Sequence, residues 1–268
     1  MTTQSRGSRY VAIGSSFAAG PGITPLAPGR PTRARQSRRN YPHLVADRHG
    51  LDLVDVTSSG ATIENILRSP QFGQSSQISA VTAQTDLVTV TVGGNDIGYI
   101  PSLIAACVPS WMSRLPAIGN RLRRATASAD ASDRLRRTAD ATAAVFAAIR
   151  HRAPGARIMC VNYLTVLPPT YREDLPFVEH EHHRLTSLAA DLDAGLASAS
   201  TAHNVDIINA SQHSIDHHAW SDEPWTSGWI RPPSRSVAFH PTADGMASVA
   251  GLITDRLASE YDGRGRTV

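Results

Sequence analysis

The run Tyr10-Val11-Ala12-Ile13-Gly14-Ser15-Ser16-Phe17-Ala18-Ala19-Gly20 decides the fold. Four apolar residues without a polar interruption read as a strand covered on both faces, and the glycine and serines that follow read as a tight turn. Such a strand needs parallel neighbours, and short runs rich in β-branched residues supply them at Leu51–Val56, Leu87–Val92, Arg157–Val161 and Val205–Ile208. Helical spacing predicts helices over Tyr41–His49, Thr62–Leu67, Ile97–Ala106, Ser132–Arg152 and Phe177–Thr201. Met246, Val249, Ile253 and Leu257 mark a last one from about Thr242 to Ser259. The alternation of strand and helix argues for a parallel sheet with helices on both faces. A single domain over residues 1–268 is expected, its core running from about residue 9 to residue 258.

Composition narrows the function. With 41% hydrophobic and 18% charged residues the chain is an ordinary globular sequence, too apolar for a disordered one. Its net charge is +3 and all 26 basic side chains are arginine. They cluster at Arg30, Arg33, Arg35, Arg38 and Arg39, and again at Arg121, Arg123, Arg124, Arg134, Arg136 and Arg137. Such clusters can attract phosphate or anionic lipid, but no nucleic-acid motif or interleaved aromatic accompanies them, so no nucleic-acid partner is expected. Cys107 and Cys160 are too few for a disulfide framework and sit among apolar residues, which predicts buried thiols while leaving a single bridge open. Met1 to Arg9 is polar, and no run approaches the roughly 18 apolar residues of a membrane span. Neither a signal peptide nor a transmembrane segment is therefore expected, and the expected compartment is the cytoplasm.

In open α/β sheets the ligand crevice lies at the carboxyl ends of the strands. The first strand runs into Gly14-Ser15-Ser16, the second into Thr57-Ser58-Ser59-Gly60, the third into Gly93-Gly94-Asn95-Asp96, and Phe239-His240-Pro241 precedes the last helix. Taken singly, each has a plainer reading. Ser16 and Gly60 suit any turn, Asn95-Asp96 suits a helix N-cap, and His240-Pro241 suits a helix entry with proline in its first turn. Their conjunction, in one order at one edge of a sheet, is what singles them out.

That conjunction resembles the SGNH, or GDSL, hydrolases, whose signature residues are Ser, Gly, Asn and His in this order. Here they are Ser16, Gly60, Asn95 and His240, and residues 10–22 resemble the opening of the actinobacterial esterase and lipase branch. The likeness runs from about residue 9 to 258. It implies a three-layer α/β/α sandwich with a flavodoxin-like five-stranded parallel sheet, and a serine ester hydrolase without cofactor or metal. A serine hydroxyl needs a base within hydrogen-bond reach, so Ser16 would attack the acyl carbonyl and His240 would take its proton. The Ser16 and Gly60 main-chain N–H groups and the Asn95 amide would then form the oxyanion hole.

Two departures from the family each remove a carboxylate. Gly-Asp-Ser becomes Gly14-Ser15-Ser16, and the aspartate three residues before the histidine becomes Val237. A Ser–His dyad is therefore expected, with the Val237 or Ala238 carbonyl orienting the imidazole; Asp216 and Asp222 are the alternative partners. Acyl transfer to an alcohol and a non-catalytic binding protein stand as the other readings. Protonation of His240 should give an acidic limb in the pH–rate profile, with a flat profile from pH 5 to 8 counting against it as the base. Trp220, Trp225, Trp229 and Phe239 are expected to wall an apolar groove for an aliphatic acyl chain, with a satellite hydrophobic cluster as the plainer reading. The histidines near Glu179 and Asp216 lack a complete helical ligand motif, so no metal is expected. The expected partner is a small-molecule or lipid ester, and a monomer is expected.

Overall fold

The structure is a computed structural model and describes residues 7–108, 131–229 and 237–264. Arg121, Arg123 and Arg124 of the second arginine cluster lie outside the described residues. Strands β1 (Arg9–Gly14), β2 (Asp52–Asp55), β3 (Leu87–Thr91), β4 (Arg157–Val161) and β5 (Asp206–Ile208) pair in parallel in the order β2-β1-β3-β4-β5. The central strands carry the expected continuous apolar runs, because both their faces are covered. Tyr10, Val11, Ala12 and Ile13 are all fully buried, and side chains such as Val11 and Ile13 contribute roughly 1.5–3 kcal/mol each by leaving water. The Tyr10 hydroxyl is satisfied inside the core by Thr89 at 2.7 Å. The edge strand β2 is less buried and correspondingly mixed in character.

Helices α1 (Ser16–Ala19), α2 (Tyr41–His49), α3 (Ile63–Leu67), α4 (Tyr99–Cys107), α5 (Ala131–Arg152), α6 (Glu179–Ala202), α7 (Ala210–His213) and α8 (Ala243–Arg264) cover the sheet. One group packs α8 on α2; the other packs α5 against α3 and α6, with α6 against α4. Their ends follow local chemistry. Asn40 caps α2 by accepting from the His43 N–H at 3.1 Å, and Thr62 with Asn65 forms a reciprocal capping box on α3. Thr242 caps α8 through the Gly245 N–H at 3.1 Å, so Pro241 precedes the helix instead of occupying its first turn.

One boundary differs from expectation for a reason that matters to the site. Asn95 and Asp96 do not cap α4, which starts two residues later than predicted, after Gly98 in the left-handed region. Residues 93–99 form successive turns, with the Ile97 N–H bonded to Gly93 O at 3.1 Å and the Tyr99 N–H to Gly94 O at 2.9 Å. Both side chains are thereby turned toward the loop after β2.

Candidate active site

Strand order places β1 between β2 and β3, the point where crossovers run to opposite sides and a crevice opens at the carboxyl ends. Ser16, Gly60 and Asn95 each lie a few residues beyond one of these three strands. Ser16 begins α1 and is nearly buried. The end of β1 is held by Gln77, whose amide accepts from the Gly14 N–H at 2.8 Å and donates to Gly14 O at 3.1 Å. Gly60 has φ +78°, a conformation that side chains other than glycine rarely adopt, and it is exposed at the loop tip. Asn95 donates one amide hydrogen to Ala61 O at 2.8 Å, which fixes its side chain beside the Gly60 loop; among the described residues the second hydrogen has no partner. The neighbouring Asp96 carboxylate accepts from the Ile63 N–H at 3.0 Å and completes the N-terminus of α3. Among the described residues, the Ser16 and Gly60 main-chain N–H groups have no hydrogen-bond partner.

His240 reaches the same place from 224 residues away. Its Nε2 lies 2.9 Å from Ser16 Oγ, and its Nδ1 lies 2.7 Å from Ala238 O. An Nδ1–H donating to that carbonyl leaves the Nε2 lone pair to accept the serine proton. The orienting group is thus a main-chain carbonyl, and neither Asp216 nor Asp222 takes that position. Ser227 builds the bend: its hydroxyl donates to Val237 O at 2.6 Å, the His240 N–H donates to that hydroxyl at 3.2 Å, and its own N–H donates to His240 O at 2.9 Å. Phe239 sits at φ +61°, a strained conformation of the kind found at functional sites, and it turns the chain so that His240 faces Ser16.

Burial pushes the His240 imidazole down to about 4; the nearby Arg35 guanidinium acts in the same direction and the Ala238 carbonyl against it. An acidic limb governed by this imidazole is therefore expected below the ordinary histidine range. A flat profile from pH 5 to 8 no longer counts against His240. Burial also raises the Asp96 carboxyl to about 6.

The aromatic groove is arranged otherwise than expected. Phe239 is fully buried, with its ring 6.3 Å from that of Trp220 and 6.2 Å from that of Trp229, so it packs in the core and lines no groove. One face of Trp225 is covered by a parallel His217 ring at 4.0 Å, and Trp220 packs edge-on to Phe177. Trp220 and Trp225 are half-buried against the main core to which Phe239 belongs, and Trp229, 37% exposed, is the most exposed of the four rings. Sequence reasoning missed Gln77, Ser227 and Tyr163. The Tyr163 hydroxyl accepts from the Gly94 N–H at 2.8 Å and lies 3.3 Å from Ser15 Oγ, so it ties the Asn95 loop to the Ser16 loop. Both cysteines are free and buried, and no group of His, Cys, Asp or Glu among the described residues is arranged to hold a metal.

Residues 12–247 match the GDSL-like Lipase/Acylhydrolase family. Lipase 2 of Streptomyces coelicolor is 31% identical over 256 residues, which span 92% of this chain and 85% of the relative. A lipase of Streptomyces rimosus is 26% identical over 243 residues, 89% of this chain and 82% of that protein. Among solved structures, phospholipase A1 from Streptomyces albidoflavus NA297 has the same fold, with a TM-score of 0.73 at 20% identity over 93% of this chain and 99% of that one. The extracellular lipase from Streptomyces rimosus matches with a TM-score of 0.73 at 23% identity over the same shares. The chain belongs to the GDSL-like lipase/acylhydrolase family and is a serine-type carboxylic ester hydrolase. No helix among the described residues is long and apolar enough to cross a membrane.

Proposed function

We propose that Ser16 carries the acyl group and that His240, without any carboxylate, moves the proton. The single observation behind this reading is the contact of 2.9 Å between Ser16 Oγ and His240 Nε2, with Nδ1 held by Ala238 O. Ser16 Oγ attacks the ester carbonyl while its proton passes to Nε2. The oxyanion so formed is met by the two unpartnered N–H groups of Ser16 and Gly60 and by the second amide hydrogen of Asn95. Collapse expels the alcohol, which takes the proton from His240. A water molecule, activated by the same imidazole, then releases the acid.

The acyl group is an aliphatic chain of a lipid-type ester. Support comes from relatives named lipases and phospholipase A1 and from the exposed Trp229 ring beside the His240 bend. A chain-length series of p-nitrophenyl esters on wild type and Ser16→Ala tests both parts at once. Wild type should hydrolyse the series with a definite optimum and Ser16→Ala should be inactive throughout; activity that survives in Ser16→Ala contradicts the reading.

A further inference from the structure

Tyr163 stands two residues beyond β4, where the Asn162 N–H bonded to Ile208 O at 3.2 Å still continues the pairing with β5. Its side chain is buried, and its hydroxyl lies between the loops that leave β3 and β1. Toward β3 it accepts from the Gly94 N–H at 2.8 Å, one residue before Asn95. Toward β1 it lies 3.3 Å from Ser15 Oγ, one residue before Ser16. The ring also packs 4.7 Å from that of Phe17, which in turn lies 5.6 Å from the His240 ring. One side chain, from a strand that carries none of the reacting groups, thus reaches a neighbour of Asn95, of Ser16 and of His240.

Local chemistry does not account for this arrangement. Ser15 is the N-cap of α1, where a serine hydroxyl ordinarily accepts from the first turn of its own helix, yet it makes no such bond. Gly94 is fitted to the phenol as well. A Cβ at that position would come within 2.7 Å of the Tyr163 ring, so only glycine lets the loop lie this close. Among the described residues the Gly94 N–H has no partner besides the phenol oxygen. A buried donor is costly to leave unpaired, so the phenol holds this peptide in place. Burial also raises the Tyr163 phenol above its ordinary range, which keeps it a neutral hydroxyl and excludes a role as acid or base near neutral pH.

Of the two polar contacts the one to Gly94 is the shorter. It leads directly to Asn95, whose side chain is held from the other side by Ala61 O at 2.8 Å. The amide is therefore fixed at two points, its backbone approach by Tyr163 and its side chain by the Gly60 loop.

We propose that Tyr163 is a positioning residue of the oxyanion hole: through Gly94 its hydroxyl sets the place of the Asn95 amide, while it touches no substrate atom itself. The proposal rests on the reading of Ser16 as nucleophile and Asn95 as oxyanion donor.

The test is a double-mutant cycle on kcat for one p-nitrophenyl ester, with Tyr163→Phe and Asn95→Ala alone and together. Rates are counted per serine titrated by a fluorophosphonate, so that unfolded protein does not enter. Phenylalanine keeps the ring and its contact with Phe17 and removes only the hydroxyl. Tyr163→Phe should lower kcat by about tenfold with KM nearly unchanged, because a displaced oxyanion donor is felt in the transition state and not in substrate binding. In the Asn95→Ala background, where no amide is left to place, the same change should cost less than about twofold. Tyr10→Phe removes another buried phenol hydroxyl, the one bonded to Thr89, and serves as the control. It should melt lower, as Tyr163→Phe should, with kcat within about twofold of wild type. Equal losses from Tyr163→Phe in both backgrounds, a loss confined to KM, or an unchanged kcat overturns the positioning role. So does an equal loss of kcat in Tyr10→Phe, since the rate would then follow stability alone. Each of these outcomes leaves Ser16 of wild type labelled; if it is not labelled, the nucleophile reading falls and the positioning role with it.

Discussion

The two halves of the proposed active site are built by different means. Ser16, Gly60 and Asn95 stand a few residues beyond three adjacent parallel strands, so sheet register fixes where their loops begin. His240 stands on no such frame. It is positioned by the Ser227 hydrogen bonds, by the strained Phe239 and by the Trp220 and Trp229 rings packed against Phe239. The nucleophile side is held by strands of the buried core; the histidine side is held by the Ser227 hydrogen bonds and the rings packed around Phe239.

This contrast orders the expected effects of substitution. Ser16→Ala removes the reacting atom itself and should lower kcat/KM by about 10⁴-fold or more, measured against a simple p-nitrophenyl ester. Asn95→Ala takes one donor from the oxyanion position and should lower kcat by about 10²–10³-fold with little change in KM. Ser227→Ala leaves the catalytic atoms in place but strips the histidine bend of its fastener; kcat should fall by about tenfold, and the unpaired Val237 carbonyl should cost about 1–3 kcal/mol in urea unfolding. Equal losses from Asn95→Ala and Ser227→Ala would erase the distinction between the two sides. The smallest effect is expected from Arg35→Gln. Removing a positive neighbour should raise the His240 pKa and move the acidic limb of kcat/KM slightly upward, the reverse of which would place Arg35 away from the imidazole.

Activity reads His240 more cleanly than stability does. Its folded pKa lies below the unfolded value, so the stability it contributes is lost as pH falls from about 6.5 toward about 4. Asp96 and Asp193, both raised to about 6 by burial, act oppositely, contributing stability at low pH that is lost as pH rises through about 6. The opposing trends offset each other in melting curves, whereas the rate follows the imidazole.

Legibility in the sequence divides along the same line. Buried parallel strands write themselves as uninterrupted apolar runs, so β1, β3 and β4 could be read directly, and with them the loops that hold Ser16, Gly60 and Asn95. Gln77 could not be found that way, because its partner Gly14 is 63 residues distant and nothing local to either residue marks the pairing. Tyr163 escaped for the same reason, being 69 residues from Gly94, whereas Ser227 lies only 10 and 13 residues from Val237 and His240 but no sequence pattern marks those pairings. The aromatic residues before His240 misled because composition reports their apolar surface but not which ring covers another; Phe239 fills the interior where a groove wall was expected. Asn95-Asp96 resembled a helix cap, and tertiary bonding to Ala61 and Ile63 won over that local preference.

The most direct test of a buried serine and histidine pair without a carboxylate is the rate of fluorophosphonate labelling of Ser16 as a function of pH. A rate level from pH 8 down to 5 and half lost near pH 4, with no labelling in His240→Ala, is the predicted result. A rate that halves near pH 6.5, or labelling that persists without the imidazole, contradicts it.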